Sequence, residues 1–294
     1  MFANIGTLMY LLYLLGASLS GPGQKNISAI NDTNDKFPPI YINEPLILNE
    51  NERSFPKTFR IVIDPGHGGR DPGCKSKYLN EKELVLSVGT QLGEILQASN
   101  PGIEVYFTRI TDVFVPLRKR IQFANELNAD LFVSIHANQY SDKNIHGAEM
   151  YVLGLHAAKQ NLEVAKRENA SILLESDYTT GYEGYVPNSA EEEIIMSMFQ
   201  NLYLDNSIQF GKMACEQIGI YTPIAPRGVK QAGFVVLKNA SMPSILAEIG
   251  FLSNEGDAKY LSSREGQKQM ALALARSIEN YFKIVHPDVV VHNR

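Results

Sequence analysis
Tryptophan is absent from the 294 residues, and cysteine occurs only at Cys74 and Cys215. The first absence excludes a tryptophan platform for stacking sugars and leaves that role to the 14 tyrosines. Two cysteines so far apart make neither a zinc-finger spacing nor a redox motif. An oxidising compartment would allow one disulfide between them, but no sequence feature brings them together. Cys74, just past a glycine-rich loop, reads as filler of a small apolar gap. A basic excess is missing too: the net charge of −5 gives no support for a nucleic-acid partner. No internal repeat is present. No apolar run reaches the roughly 20 residues of a membrane span. The run from Ile5 to Leu19 is uncharged, though no Lys or Arg precedes it, and it ends in small residues, Ala17 to Gly21. Residues 1–20 therefore read as an export leader rather than an anchor, and no cysteine near the cleavage region offers a lipid attachment point. The expectation is an exported protein, periplasmic or in the cell envelope, with no stable membrane span in its mature form.

What is present is ordinary globular material, 44% apolar and 20% charged, in a chain long enough to bury a large core. Residues 21–55 are polar and carry Pro22, Pro38, Pro39 and Pro45, the composition of a linker with little structure of its own. From Arg60 onward, strand and helix signals alternate. Strands are expected at Arg60–Asp64, Ile103–Thr108, Leu131–Ile135, Ala148–Leu153, Phe234–Leu237 and Ser244–Ala247. Helices are expected at Glu81–Leu96, Leu117–Leu127 and Gln267–Tyr281. That order predicts a single α/β domain over residues 56–285, with a central, mostly parallel sheet of about six strands flanked by helices. Leu131–Ile135, almost wholly apolar, is expected at its centre. Residues 155–220 break the alternation and read as a helical insertion. It has a polar helix at Ala158–Asn169, a Tyr/Gly/acidic loop, and a helix from Ser189 with Glu191, Glu192 and Glu193 in its first turn. A short tail, 286–294, closes the chain.

The loop Pro65-Gly66-His67-Gly68-Gly69-Arg70-Asp71-Pro72-Gly73 follows the first of these strands and holds four glycines around one histidine. Such a loop costs conformational entropy and is tolerated where backbone must pass close to something. His67 stands at the carboxyl end of a strand. So do His136, after Leu131–Ile135, and Glu248, after Ser244–Ala247; Glu81 opens the helix after the loop. In a mainly parallel sheet those ends face one crevice. Two imidazoles and one carboxylate make a catalytic zinc site with a position left for water, and a second carboxylate can move the proton. Spacing alone leaves open which glutamate does which, and Glu83 competes with Glu81. Any one of the histidines taken singly is as well explained by a hydrogen-bonded core position. Glu248, in an apolar run, is harder to explain that way, because buried glutamate is rare unless paired. His146, His156, His286 and His292 lie in loop-like or terminal contexts.

These residues resemble the zinc-dependent N-acetylmuramoyl-L-alanine amidases of the amidase-3 type. The resemblance rests on Ile63-Asp64-Pro65-Gly66-His67-Gly68-Gly69, Glu81-Lys82, Leu117 with Arg120 and Ala124-Asn125, Ala129 through Asn138, and Pro243 through Asn254, in the family's order over residues 60 to about 282. It implies one zinc ion held by His67, Glu81 and His136, with Glu248 as the catalytic carboxylate. It implies peptidoglycan as substrate, cut at the amide between N-acetylmuramic acid and the L-alanine of the stem peptide, in cell-wall remodelling and daughter-cell separation. Cys74 to Leu79 departs from the family's usual small-residue turn, and no cell-wall-binding repeat follows Phe282. Relatives in cell division carry an inserted helix over the zinc that an activator protein displaces. Residues 155–220 occupy the matching place, which raises the expectation of a lid with a residue of Glu191–Glu193 near the metal; a wall of the substrate groove is the competing reading. Two rival functions share these residues: a zinc peptidase acting within the stem peptide, and an inactive peptidoglycan-binding regulator.

Overall fold
The structure, a computed structural model, describes residues 27–30, 40–43, 58–154, 159–175 and 203–287. The expected leader and the Glu191–Glu193 cluster lie outside these residues. Within the stretch read as a linker, Ile27–Ile30 (β1) and Ile40–Asn43 (β2) pair as an antiparallel ribbon.

Six further strands form one sheet. They are Phe59–Pro65 (β3), Ile103–Phe107 (β4), Leu131–Asn138 (β5), Ala148–Leu153 (β6), Pro226–Ala232 (β7) and Ser244–Phe251 (β8), in the order β4-β3-β5-β8-β6-β7. The first four of that order run parallel; β6 is antiparallel to β8, and β7 is parallel to β6. The fold class expected from the sequence is thus present, with a sheet of mixed sense. Every residue of β5 and β8 is buried, as their apolar runs require of central strands.

Alternate strand residues face opposite layers. Ile61, Ile63, Val133 and Ile135 pack with one set of helices: Glu81–Ser99 (α1), Leu204–Tyr221 (α4) and Arg264–Val285 (α6). Val62, Phe132 and Leu246 face Leu117–Glu126 (α2) and Val164 and Ala165 of Lys159–Asn169 (α3). A short helix, Glu255–Ser262 (α5), precedes α6. At the start of α1, the Glu83 carboxylate accepts a hydrogen bond from the Asn80 side-chain amide at 2.9 Å, pinning the turn that carries Glu81.

Two expectations change. Phe234–Leu237 is not a strand: Val235–Leu237 is a 3-10 turn, because the Leu237 and Lys238 amides bond back to Phe234 and Val235. The sixth strand is β7 instead. The second change concerns the insertion. Phe210, Ala214 and Ile218 of α4 are fully buried in the main core, so residues 204–220 belong to the body of the domain.

Candidate metal centre
At the end of β3 the chain turns at Gly66, and His67 takes a φ of 57°. A residue with a Cβ holds that left-handed backbone only when its surroundings impose it. Two buried guanidinium groups do so. Arg109 donates from Nε to the Pro65 carbonyl (2.9 Å) and from Nη2 to that of Gly66 (2.7 Å); Arg120 donates from Nη2 to the His67 carbonyl (2.8 Å). Arg120 is itself fixed by Asp64 at 2.8 Å, and Asp64 also accepts from Ser134 Oγ (2.7 Å) and Thr108 Oγ1 (2.5 Å). The loop's glycines make room for the site's own side chains. A Cβ on Gly66 would come within 2.3 Å of the His136 ring, and one on Gly73 within 2.6 Å of both Glu81 and His67.

The strand ends and the start of α1 converge as the parallel register dictates, and α3 joins them. His67 Nε2 lies 3.0 Å from Glu81 Oε1 and 3.1 Å from Glu168 Oε2. His136 Nδ1 lies 3.2 Å from Glu81 Oε1, 3.0 Å from Glu168 Oε2 and 3.2 Å from His67 Nε2. All four residues are buried. Among the described residues, Glu168 Oε2 makes no hydrogen bond of acceptable geometry despite being buried between two imidazoles. Two imidazole nitrogens and two carboxylate oxygens aimed at a common centre, one of those oxygens orphaned, fit a metal ion, and the four residues are able to hold one.

Electrostatics point the same way. Burial works against a charged imidazole at His67, but Glu81, Asp71 and Glu168 outweigh it and hold the pKa well above its usual value. At His136 the same opposition, with Glu168 and Glu81 prevailing, raises the pKa to about 9. The cluster therefore calls for positive charge. Glu81 is anchored by the amides of Ala137 (2.9 Å) and Cys74 (2.7 Å). His67 Nδ1 is 2.9 Å from Asp71 Oδ2, which also accepts from Ser171 Oγ. That is the imidazole–carboxylate pairing that orients a metal ligand.

Glu248 stands apart from the four-residue cluster. It is paired in register with His136 on one side and with Glu149 on the other. It is fully buried: Oε1 lies 3.4 Å from Arg167 Nη2, and Oε2 has no partner among the described residues. Burial and the nearby carboxylate of Glu168 push its pKa well above the usual range, against the pull of Arg167. Arg167 also donates to the Gln139 carbonyl and to Asn138 Oδ1. Consecutive residues of α3 thus reach both the cluster and Glu248.

Among the residues singled out in the sequence, His67, Glu81 and His136 come together and Glu248 lies one strand over. Glu83 caps α1 instead, His146 is exposed, and His286 packs edge-on against Phe59 and tilted against Phe282. His156 and His292 lie outside the described residues. Cys74 and Cys215 are free and buried. Glu168 was not foreseen: it sits on a helix so polar that it reads as solvated. Asp71 and Ser171 were not foreseen either, although Asp71 lies four residues from His67 in the same loop.

The chain matches the family Amidase_3, N-acetylmuramoyl-L-alanine amidase, over residues 61–280. It is 34% identical over 228 residues to the N-acetylmuramoyl-L-alanine amidase AmiC of Escherichia coli, an alignment covering 76% of this chain and 52% of AmiC. It is 30% identical over 248 residues to E. coli AmiA, covering 81% of this chain and 83% of AmiA. The chain thus spans about half the length of AmiC. Among solved structures, N-acetylmuramoyl-L-alanine amidase AmiC2 of Nostoc punctiforme superposes with a TM-score of 0.57 at 30% identity, covering 76% of this chain and 97% of that one.

Proposed function
This chain belongs to the Amidase_3 family of N-acetylmuramoyl-L-alanine amidases, and from that premise we propose that it hydrolyses the amide between N-acetylmuramic acid and the L-alanine of the stem peptide in peptidoglycan, using one zinc ion. The observation that carries this reading is the buried His67–Glu81–His136 constellation with Glu248 one strand away. The five separations of 3.0–3.2 Å within the cluster approach the edge of a tetrahedron, about 3.3 Å, that ligands about 2.0 Å from a zinc ion define. His67, Glu81 and His136 would hold the ion. When bound, zinc supplies Lewis acidity, lowering the pKa of a water toward about 7 and polarising a carbonyl oxygen.

The chain's own residues do the rest. Asp71 fixes the tautomer and tilt of His67, and Arg109 and Arg120 hold the backbone that presents it. Glu248 takes a proton from the attacking water on Oε2 and passes it to the departing amide nitrogen. Burial, the larger cause of its raised pKa, favours the protonated carboxyl and so suits a group that must hold the proton between the two transfers.

In the state described, Glu168 takes the fourth corner of the cluster, and Arg167 faces Glu248. We read this as a closed state in which α3 is a lid, with Glu168 in the role the sequence suggested for Glu191–Glu193. An activator protein that lifts α3 would open the site. Export to the periplasm or cell envelope and a role in daughter-cell separation belong to the same reading. No described helix is long and apolar enough to cross a membrane.

Mass spectrometry of digested sacculi tests the proposal. Free stem peptides beginning with L-alanine are the expected product. Shortened stem peptides still attached to muramic acid would replace it with a peptidase, and intact muropeptides from metal-loaded protein with α3 removed would leave only a binding role.

A further inference from the structure
A groove of about 710 Å³ lies outside the four-residue cluster, and nothing so far described uses it. Its walls are the turn Lys75–Tyr78, the loop from Gln139 to Asn144, and Leu252 to Ala258. Each wall continues a segment that carries a site residue. The turn leads into Glu81, the loop follows His136 and Asn138 out of β5, and the third wall follows Glu248 out of β8. The groove therefore lies at the same end of the sheet as the cluster.

The charges in the groove are unequal. Glu255 is matched by Lys77 Nζ at 2.7 Å and accepts from the Tyr78 hydroxyl at 2.5 Å. Lys75 and Lys143 line the same groove, and their ammonium groups meet no carboxylate among the described residues. Asp142, next in sequence to Lys143, turns its carboxylate to the Asn144 amides. Two cations with no carboxylate partner among the described residues thus stand over the walls of the groove, with Leu252 and Ala258 buried behind them. That pair of cations suits a peptide with free carboxylates, and not a neutral glycan.

We propose that this groove binds the anionic stem peptide, with Lys75 and Lys143 pairing to its carboxylates. The proposal rests on the amidase reading for the identity of the peptide. It makes the groove the peptide side of the substrate site, so that the two lysines select among stem peptides by their free carboxylates. Because the pairs are exposed to water, each is modest and sensitive to salt.

The test is a calorimetric or NMR titration of the full chain with a synthetic stem tripeptide, L-alanyl-D-glutamyl-diaminopimelate, and with the same peptide amidated at its carboxylates. The free acid is expected to bind the wild type more tightly than the amidated peptide. Lys75→Ala/Lys143→Ala is expected to weaken the free acid by roughly five- to tenfold, the sum of two partly exposed charge pairs, and to leave the amidated peptide unaffected. Lys268→Ala, which removes an equal charge from the exposed side of α6, serves as the control and should change nothing. No binding, or equal binding by wild type and double variant, overturns the proposal. If the lysine dependence holds while digested sacculi yield no free stem peptides, the amidase reading fails and the peptide groove stands.

Discussion

Glu168 Oε2 lies 3.0 Å from His136 Nδ1, so a carboxylate carried by α3 occupies the fourth corner of the cluster. Replacing Glu168 by Ala should raise basal release of stem peptides by on the order of tenfold or more, because the closed state loses a buried contact worth a few kcal/mol. The initial rate of solubilisation of dye-labelled sacculi measures this. An unchanged or lower rate in a folded, metal-loaded variant would sink the lid reading.

Glu248 gives the opposite expectation. Glu248→Gln keeps the shape of the side chain and removes its capacity to accept a proton. Turnover should fall by roughly 10²- to 10⁴-fold, the usual contribution of a positioned acid–base group. Metal content, measured by atomic emission, should stay at wild-type level, since Glu248 stands outside the cluster. Loss of metal together with activity would make it a ligand instead.

Most of the site was legible in the sequence, and the reason is physical. His136 and Glu248 directly follow the mostly apolar runs Leu131–Ile135 and Ser244–Ala247, and His67 lies in the glycine-rich loop after Ile61–Ile63; a short apolar run followed by a titratable residue or a glycine-rich turn marks the edge of a buried sheet. Glu168 gave no such signal. The helix that carries it, Lys159–Asn169, has only Leu162, Val164 and Ala165 among its apolar residues, so a polar exterior helix was the natural reading. The strand Pro226–Ala232 was hidden for a related reason. It is an edge strand whose Arg227, Lys230 and Gln231 break the alternation, and Arg227 and Lys230 turn to the buried Glu149. The neighbouring Phe234–Leu237 is more apolar and was the better strand on pattern. Its backbone bonds go to local turns and to Asn169, whose side-chain oxygen accepts from the Val235 amide at 2.9 Å. Contacts between segments distant in sequence decide such cases, and no local pattern records them.

Asp71 holds His67 through Nδ1 at 2.9 Å. Asp71→Asn should weaken metal binding by about 10- to 100-fold, the usual effect of losing the carboxylate behind a ligating imidazole. Competition with a chromogenic chelator reads this directly. An affinity within a factor of two of wild type would show that the loop, and not Asp71, orients the ring.

Arg120 is nearly inaccessible and pairs with an equally buried Asp64. Arg120→Met removes one partner and leaves the other charge uncompensated, which costs about 3–5 kcal/mol. It also releases the His67 carbonyl. Denaturant unfolding should show a large drop in midpoint, and Asp64→Asn/Arg120→Met should recover part of it. No recovery would place the cost in the lost carbonyl contacts of the loop rather than in the orphaned carboxylate.

The last expectation concerns pH and metal together. In the metal-free protein, Glu168 and Glu81 outweigh burial and raise the pKa of His136 to about 9, against 6.5 for an unperturbed histidine. A folded-state pKa above the unfolded one means that the protonated form adds stability. That contribution is fully present below about pH 6.5 and is lost as pH rises through about 9. Metal binding requires the same nitrogen without its proton and so strengthens over the same range. The chelator-treated protein should therefore melt at a lower temperature at about pH 9.5 than at about pH 6.5, while the gap between zinc-loaded and stripped protein widens. Thermal melts in chelator and in excess zinc across that range measure both trends. A gap that narrows with rising pH would mean that the cluster does not bind the ion through His136, because proton and metal would then not compete for the same atom.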